Sequence, residues 1–77
     1  MEREWLRQMR KIKGYKQEDV AKYAKKSLTL YSYIESGERN PSVKTAQRIA
    51  DLLNFDWTLF FPEEKKKNKN KEVKNEN

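Results

Sequence analysis

Between residues 1 and 62 the apolar residues recur at helical spacing, and no segment alternates convincingly with period two. That periodicity is cut into short pieces by Gly14, Gly37, Pro41, Asn54 and Pro62, residue types that end helices or forbid their continuation. A chain punctuated this way reads as a stack of short helices.

Trp5, Leu6, Met9 and Ile12 form a first stripe, closed by Gly14 in a left-handed conformation. A second helix runs from Gln17 to about Ala24. Glu18 and Asp19 sit in its first turn, where carboxylates complement the helix dipole, and Val20, Ala21 and Ala24 face inward. Lys16 is a poor N-cap for it. Ser27 caps a third helix reaching Ser36, with Tyr31 and Ile34 inward and Gly37 as its stop. Ser42 caps a fourth, built on Val43, Ala46, Ile49, Ala50 and Leu53 and ended by Asn54. Asp56 caps a last short helix holding Trp57, Phe60 and Phe61, ended by Pro62. The expectation is an all-α, compact five-helix bundle with short connections.

All nine aromatic residues lie before Glu63. Beyond it the chain reads EEKKKNKNKEVKNEN, which cannot bury enough apolar surface to offset its ordering entropy. The division is therefore a folded domain over 1–62 and a charged, disordered tail over 63–77. The net charge of +6 is shared: six lysines and four glutamates leave +2 on the tail and +4 on the domain. A basic balance favours an anionic partner such as nucleic acid.

The 77 residues contain neither cysteine nor histidine. This excludes disulfides and Cys/His zinc sites, and removes the commonest general base and the thiol nucleophile. No catalytic, metal or cofactor constellation emerges, and the chain reads as a non-enzyme. No apolar run approaches the roughly 20 residues that span a bilayer. The mixed charge of Met1–Trp5 is unlike a signal peptide, so a cytoplasmic address is expected.

Two short helices joined across Ala24-Lys25-Lys26-Ser27, with basic residues at the turn, are the parts of a DNA-reading helix-turn-helix. Gln17 to Phe61 resembles the phage-repressor and Cro-like (XRE) family. The resemblance rests on QEDVA at 17–21, Ser27, Ile34–Glu35, GERNPS at 37–42, Thr45, Ile49–Ala50 and LFF at 59–61. With the first helix it covers most of residues 5–61. The chain departs from the family pattern at Lys16, at Lys25 in place of the turn glycine, and at Asn54.

The resemblance implies double-stranded DNA as partner, with helix 3 (about 28–36) in the major groove. Ser27, Leu28, Thr29, Ser32 and Tyr33 would then face base edges, read by hydrogen bonds or by apolar contact with thymine methyls. Leu28 alternatively packs locally against the turn. Gln17 resembles a phosphate anchor at the start of helix 2, against the simpler reading of a solvated helix-start residue. Lys26, Arg39, Asn40 and Lys44 are further phosphate candidates, trusted as a cluster. Arg10 and Glu35 match a family ion pair that orients helix 3; the alternative is two independent surface charges.

Trp5, Tyr15, Tyr23 and the Trp57/Phe60/Phe61 group read as packing in a thin core rather than as stacking platforms for single strands. Trp57 and Leu59 suggest an apolar contact between two copies. The functional expectation is a homodimeric repressor bound to a palindromic operator. An antitoxin or restriction–modification controller of the same fold, or a protein-interaction module that does not read DNA, are the alternatives. The first two carry a protein partner or an operon context that the residues do not specify.

Overall fold

The computed structural model describes residues 2–62. The proposed tail, 63–77, lies outside them. Four α-helices follow in order: α1 (Glu4–Ile12), α2 (Gln17–Ala24), α3 (Leu28–Ser36) and α4 (Val43–Leu53). The fifth element of the expected bundle is a single 3-10 turn over Trp57–Phe60, not an α-helix. Four residues bounded by the Asp56 cap and Pro62 leave no length for the i to i−4 bonds of an α-helix to propagate.

The described helices all close in the same manner. After each, one residue turns left-handed: Gly14 (φ +81°), Lys25 (φ +62°), Gly37 (φ +87°) and Asn54 (φ +63°). The next backbone N–H then returns five residues to a helical carbonyl. These bonds run from Tyr15 to Arg10, Lys26 to Ala21, Glu38 to Tyr33 and Phe55 to Ala50, at 2.9–3.1 Å. They satisfy carbonyls that a helix end would otherwise leave without partners. Both glycines of the chain stand at such positions, where a Cβ is penalised.

At the N-termini, Ser27 Oγ accepts from the Leu30 N–H (3.1 Å) and Ser42 Oγ from the Thr45 N–H (3.2 Å). Asp56 likewise accepts from the Thr58 N–H at 3.0 Å. Lys16 offers α2 no acceptor. Instead Asp19 reaches back to the Lys16 N–H at 2.8 Å, which is half of a capping box.

The core gathers Leu6 from α1, Val20, Ala21 and Ala24 from α2, Tyr31 and Ile34 from α3, Ala46, Ile49 and Leu53 from α4, and Phe60. Trp5 packs edge-on against Phe55 and Phe60 with ring centroids 5.3 Å apart, and Phe55 and Phe60 meet tilted at 5.7 Å. Two polar ties hold α2 to α4. Tyr23 donates to Asp51 Oδ2 (2.6 Å), and Arg48 Nη1 donates to the Ala24 carbonyl at the end of α2 (3.4 Å).

Two residues expected in the core are exposed. Ile12 is 79% accessible because Arg10, two residues earlier, takes the inward direction; at 3.6 residues per turn Ile12 points nearly opposite. Val43 is half exposed, since the inward places at that end of α4 belong to Pro41 and Thr45, both buried.

Candidate nucleic-acid interface

The three-residue connection 25–27 sets α3 against α2, and α1 packs on the other flank of α3. The inner face of α3 is fixed by Tyr31, Ile34 and Glu35, all at most 1% exposed. A buried carboxylate requires partners, and Glu35 has four hydrogen bonds. Arg10 donates through Nε (2.5 Å) and Nη2 (3.3 Å), Gln17 through Nε2 (2.9 Å) and Tyr31 through its hydroxyl (2.8 Å).

Burial alone would raise the Glu35 carboxyl. The hydrogen bonds from Arg10, Gln17 and Tyr31, together with the Arg10 charge, outweigh it and hold the group below the ordinary carboxylate value. The hydrogen bond to Glu35 in turn raises Arg10 against its own burial. Burial, then the bond to Glu35, pushes the Tyr31 phenol well up. Arg10 Nη1 also donates to the Tyr15 carbonyl (2.9 Å), so the same guanidinium pins the α1–α2 turn.

With the inner face anchored, the outer face is determined. Ser27, Leu28, Thr29 and Tyr33 are exposed and Ser32 is half-buried. Ser27 keeps its oxygen on the Leu30 N–H as the cap. Leu28 stands 48% exposed where α2 and α3 meet, on a shallow groove shared with Glu18, Asp19, Lys22 and Lys26. About half of its surface is therefore exposed.

The candidate phosphate ligands divide into two groups. Lys26 stands exposed beside the turn, whereas Arg39, Asn40 and Lys44 stand exposed around the loop between α3 and α4. Gln17 differs from them: it is half-buried and spends one amide N–H on Glu35, leaving its second as the donor a phosphate would take. Glu18 and Asp19 beside it put two carboxylates in the first turn of α2.

In the 3-10 turn Leu59 is 45% exposed, and Trp57 is half-buried with its ring 6.1 Å from that of Phe61. This 3-10 turn packs on α4. Tyr15 is half-buried, and the exposed Tyr23 is tied to Asp51. No group of side chains suited to a metal ion occurs among the described residues, and none of the described helices is long and apolar enough to cross a membrane.

Sequence reasoning missed Arg3. It precedes the helical stripe and belongs to no periodic pattern, yet its guanidinium donates to the Ile34 carbonyl (2.6 Å), the Arg39 carbonyl (3.1 Å) and Asn40 Oδ1.

The family described as helix-turn-helix matches residues 6–60. An uncharacterized HTH-type transcriptional regulator of Bacillus subtilis (strain 168), YqaF, is 48% identical over 61 residues, covering 79% of this chain and 80% of the relative. A second from the same organism, YazB, is 42% identical over 60 residues, covering 78% of this chain and 87% of the relative. The ImmF control region 10 kDa protein of Bacillus phage phi105 is 45% identical over 55 residues, which is 71% of this chain and 61% of that protein. No solved structure matches. Four helices in this order, the short α2–α3 turn and a family match across nearly all the described residues lead to one conclusion: the chain belongs to the XRE-type helix-turn-helix family.

Proposed function

We propose that this chain is a sequence-specific double-stranded DNA-binding transcriptional regulator, acting as a homodimeric repressor with α3 in the major groove. The observation that carries this reading is the division of α3. Its inner side is buried and hydrogen-bonded into α1 and α2, while Leu28, Thr29 and Tyr33 are exposed at and beyond its N-terminal end. Recognition helices of this motif meet base edges through N-terminal residues. Exposed Lys26 on one side, and Arg39, Asn40 and Lys44 on the other, suit the backbone contacts that set register without reading sequence.

The names of the relatives, two HTH-type transcriptional regulators and a phage control-region protein, support regulation as the purpose of binding. Leu28 suits a thymine methyl; Thr29 and Ser32 read bases with little discrimination. Readers this weak favour two copies on a palindrome, with half-sites one helical turn, about 34–36 Å, apart. Leu59, with Trp57 beside it, offers the apolar contact between copies.

Selection of bound fragments from a random duplex pool, followed by footprinting and sedimentation, tests this. A palindromic motif bound by a dimer is expected. If each subunit neutralises four phosphates, the log–log salt slope is about −7. Leu59→Glu should weaken palindrome binding strongly while leaving the monomer folded. A monomer on an asymmetric single site would overturn the dimer, and failure to bind any duplex at low salt would overturn the function.

A further inference from the structure

We infer that Arg3 is a positioning residue for the DNA interface: it holds the loop after α3 in place and turns the Asn40 carboxamide so that its NH2 group faces a phosphate. This rests on the DNA-binding reading above and adds to it a residue outside the helix-turn-helix.

Arg3 lies just before α1, and its backbone N–H donates to the Glu35 carbonyl at 2.8 Å. Its side chain then runs along the end of α3. Nη1 donates to the Ile34 and Arg39 carbonyls, and Nη2 to Asn40 Oδ1. The guanidinium carbon stands 5.3 Å from the centre of the Phe60 ring. One cation therefore joins the end of α3, both residues ahead of the buried Pro41, and the aromatic cluster. Its charge is directed inward, so Arg3 is not itself placed as a phosphate ligand.

The consequence for Asn40 follows from donor chemistry. A carboxamide carries an acceptor at one end and two donors at the other, and nothing intrinsic decides which end points where. A guanidinium has donors only. Asn40 must therefore turn its oxygen to Arg3, and its NH2 points away, at an exposed position next to Arg39 in the sequence. Phosphate oxygens only accept. Arg3 thus converts an ambivalent side chain into a fixed donor. Holding the Arg39 carbonyl also fixes the backbone from which the Arg39 charge extends.

The test uses the full chain and a selected duplex carrying one neutral methylphosphonate at a time. With the wild type, the phosphate that Asn40 contacts should be among the sensitive positions of each half-site, its neutralisation costing about tenfold in Kd, the scale of one hydrogen bond to a charged group. Asn40→Ala should erase the penalty at that position alone. Arg3→Met should shrink it toward the Asn40→Ala level, and Arg3→Lys, which keeps a donor for the Asn40 oxygen, should restore part of it. Asn40→Asp keeps the acceptor for Arg3, so its melting temperature should not fall. Its affinity should drop about tenfold or more, and neutralising the same phosphate should recover much of the loss.

If Arg3→Met weakens every modified duplex equally and leaves the Asn40-dependent penalty intact, Arg3 is only a structural clamp and the inference is wrong. Should Arg3→Met fail to fold, a scan in which Asn40→Ala keeps the wild-type penalty at every position, and in which no neutralised phosphate recovers the affinity of Asn40→Asp, overturns it equally. Normal wild-type binding with no penalty that depends on Asn40 removes this inference alone. Absence of any duplex binding removes the functional reading with it.

Discussion

The side of α3 that faces α1 and α2 buries Tyr31, Ile34 and Glu35, whereas the side turned away leaves Leu28, Thr29 and Tyr33 exposed. Each inner side chain is committed: Glu35 alone accepts from three residues on three helices. On the outer side, beyond the Ser27 cap, the exposed side chains of Leu28 and Thr29 have surface to spare. The difference separates two kinds of constraint within one nine-residue helix. The inner face fixes where the helix sits, and so carries the stability; the outer face is free to be chosen for what it touches. Substitutions on the two faces should therefore be read by different measurements.

The largest effect is expected at Glu35. Glu35→Leu leaves Arg10 as an uncompensated charge that is 9% exposed, and strips the Gln17 amide and the Tyr31 hydroxyl of their acceptor. Breaking a buried pair in this way costs about 3–5 kcal/mol, a fall of ten degrees or more in melting temperature for a domain this small. Arg10→Met should cost less, because Gln17 and Tyr31 still donate to Glu35. The double variant Arg10→Met/Glu35→Leu should recover part of the loss. A double-mutant cycle with coupling near zero would contradict the buried network.

Acid should act on the same face. The Glu35 carboxyl is held below its ordinary value in the fold, so the folded state favours its charged form. Its contribution is complete above about pH 4.3, the unfolded value, and is lost as pH falls through the lower folded value. Thermal melts from pH 6 to pH 2 should show an acid decline that Glu35→Gln makes shallower. An unchanged slope in that variant would assign the acid sensitivity elsewhere.

On the outer face the signs reverse. Thr29→Ala and Leu28→Ala should leave stability within about 0.5 kcal/mol, as for surface substitutions in general. Affinity for the selected site should fall by about 1–3 kcal/mol, with specificity relaxed at individual base pairs. Melting and binding measured on the same samples would expose any mixing of the two roles, and two variants that keep wild-type affinity and motif would sink the proposed docking.

The same contrast explains what the sequence made legible. Helix positions were readable because caps and stops are local chemistry: Ser27, Ser42, Asp56, Gly14, Gly37 and Asn54 act on neighbours within a few residues. The inward places of Val20, Tyr31 and Ile49 followed from periodicity. Ile12 and Val43 depart from it because helical spacing marks an apolar residue as core, whereas the inward directions there belong to Arg10 and Thr45, which are polar. The fifth helix was too short to be one. Arg3 was invisible for a different reason: its partners lie 31 to 37 residues away, and no local pattern announces so distant a contact. Gln17, chosen as a phosphate ligand by resemblance, also carries an inward bond that only the fold reveals.

The smallest expected effect lies at the hinge between α2 and α3. Lys25 closes α2 at φ +62°, ψ +42°, a conformation that costs a side-chain-bearing residue about 1 kcal/mol and glycine almost nothing. It nonetheless closes the helix as at the other three ends, the following N–H of Lys26 reaching the Ala21 carbonyl at 2.9 Å. The other three left-handed positions hold glycine or asparagine, so the strain here is peculiar to the turn that presents α3. Lys25→Gly should relieve it, and the greater freedom of glycine in the unfolded chain should return part of the gain. A rise of about 2–5 °C in melting temperature is expected, the equivalent of about 0.5–1 kcal/mol. Lys25→Ala removes the same charge but keeps the Cβ, so it should give no such rise. Both variants should lose the same small, sequence-independent part of DNA affinity if the ammonium contributes to phosphate attraction. A glycine variant melting no higher than the alanine one would show that the turn tolerates lysine without strain, and the hinge would then belong with the relaxed outer face rather than the constrained inner one.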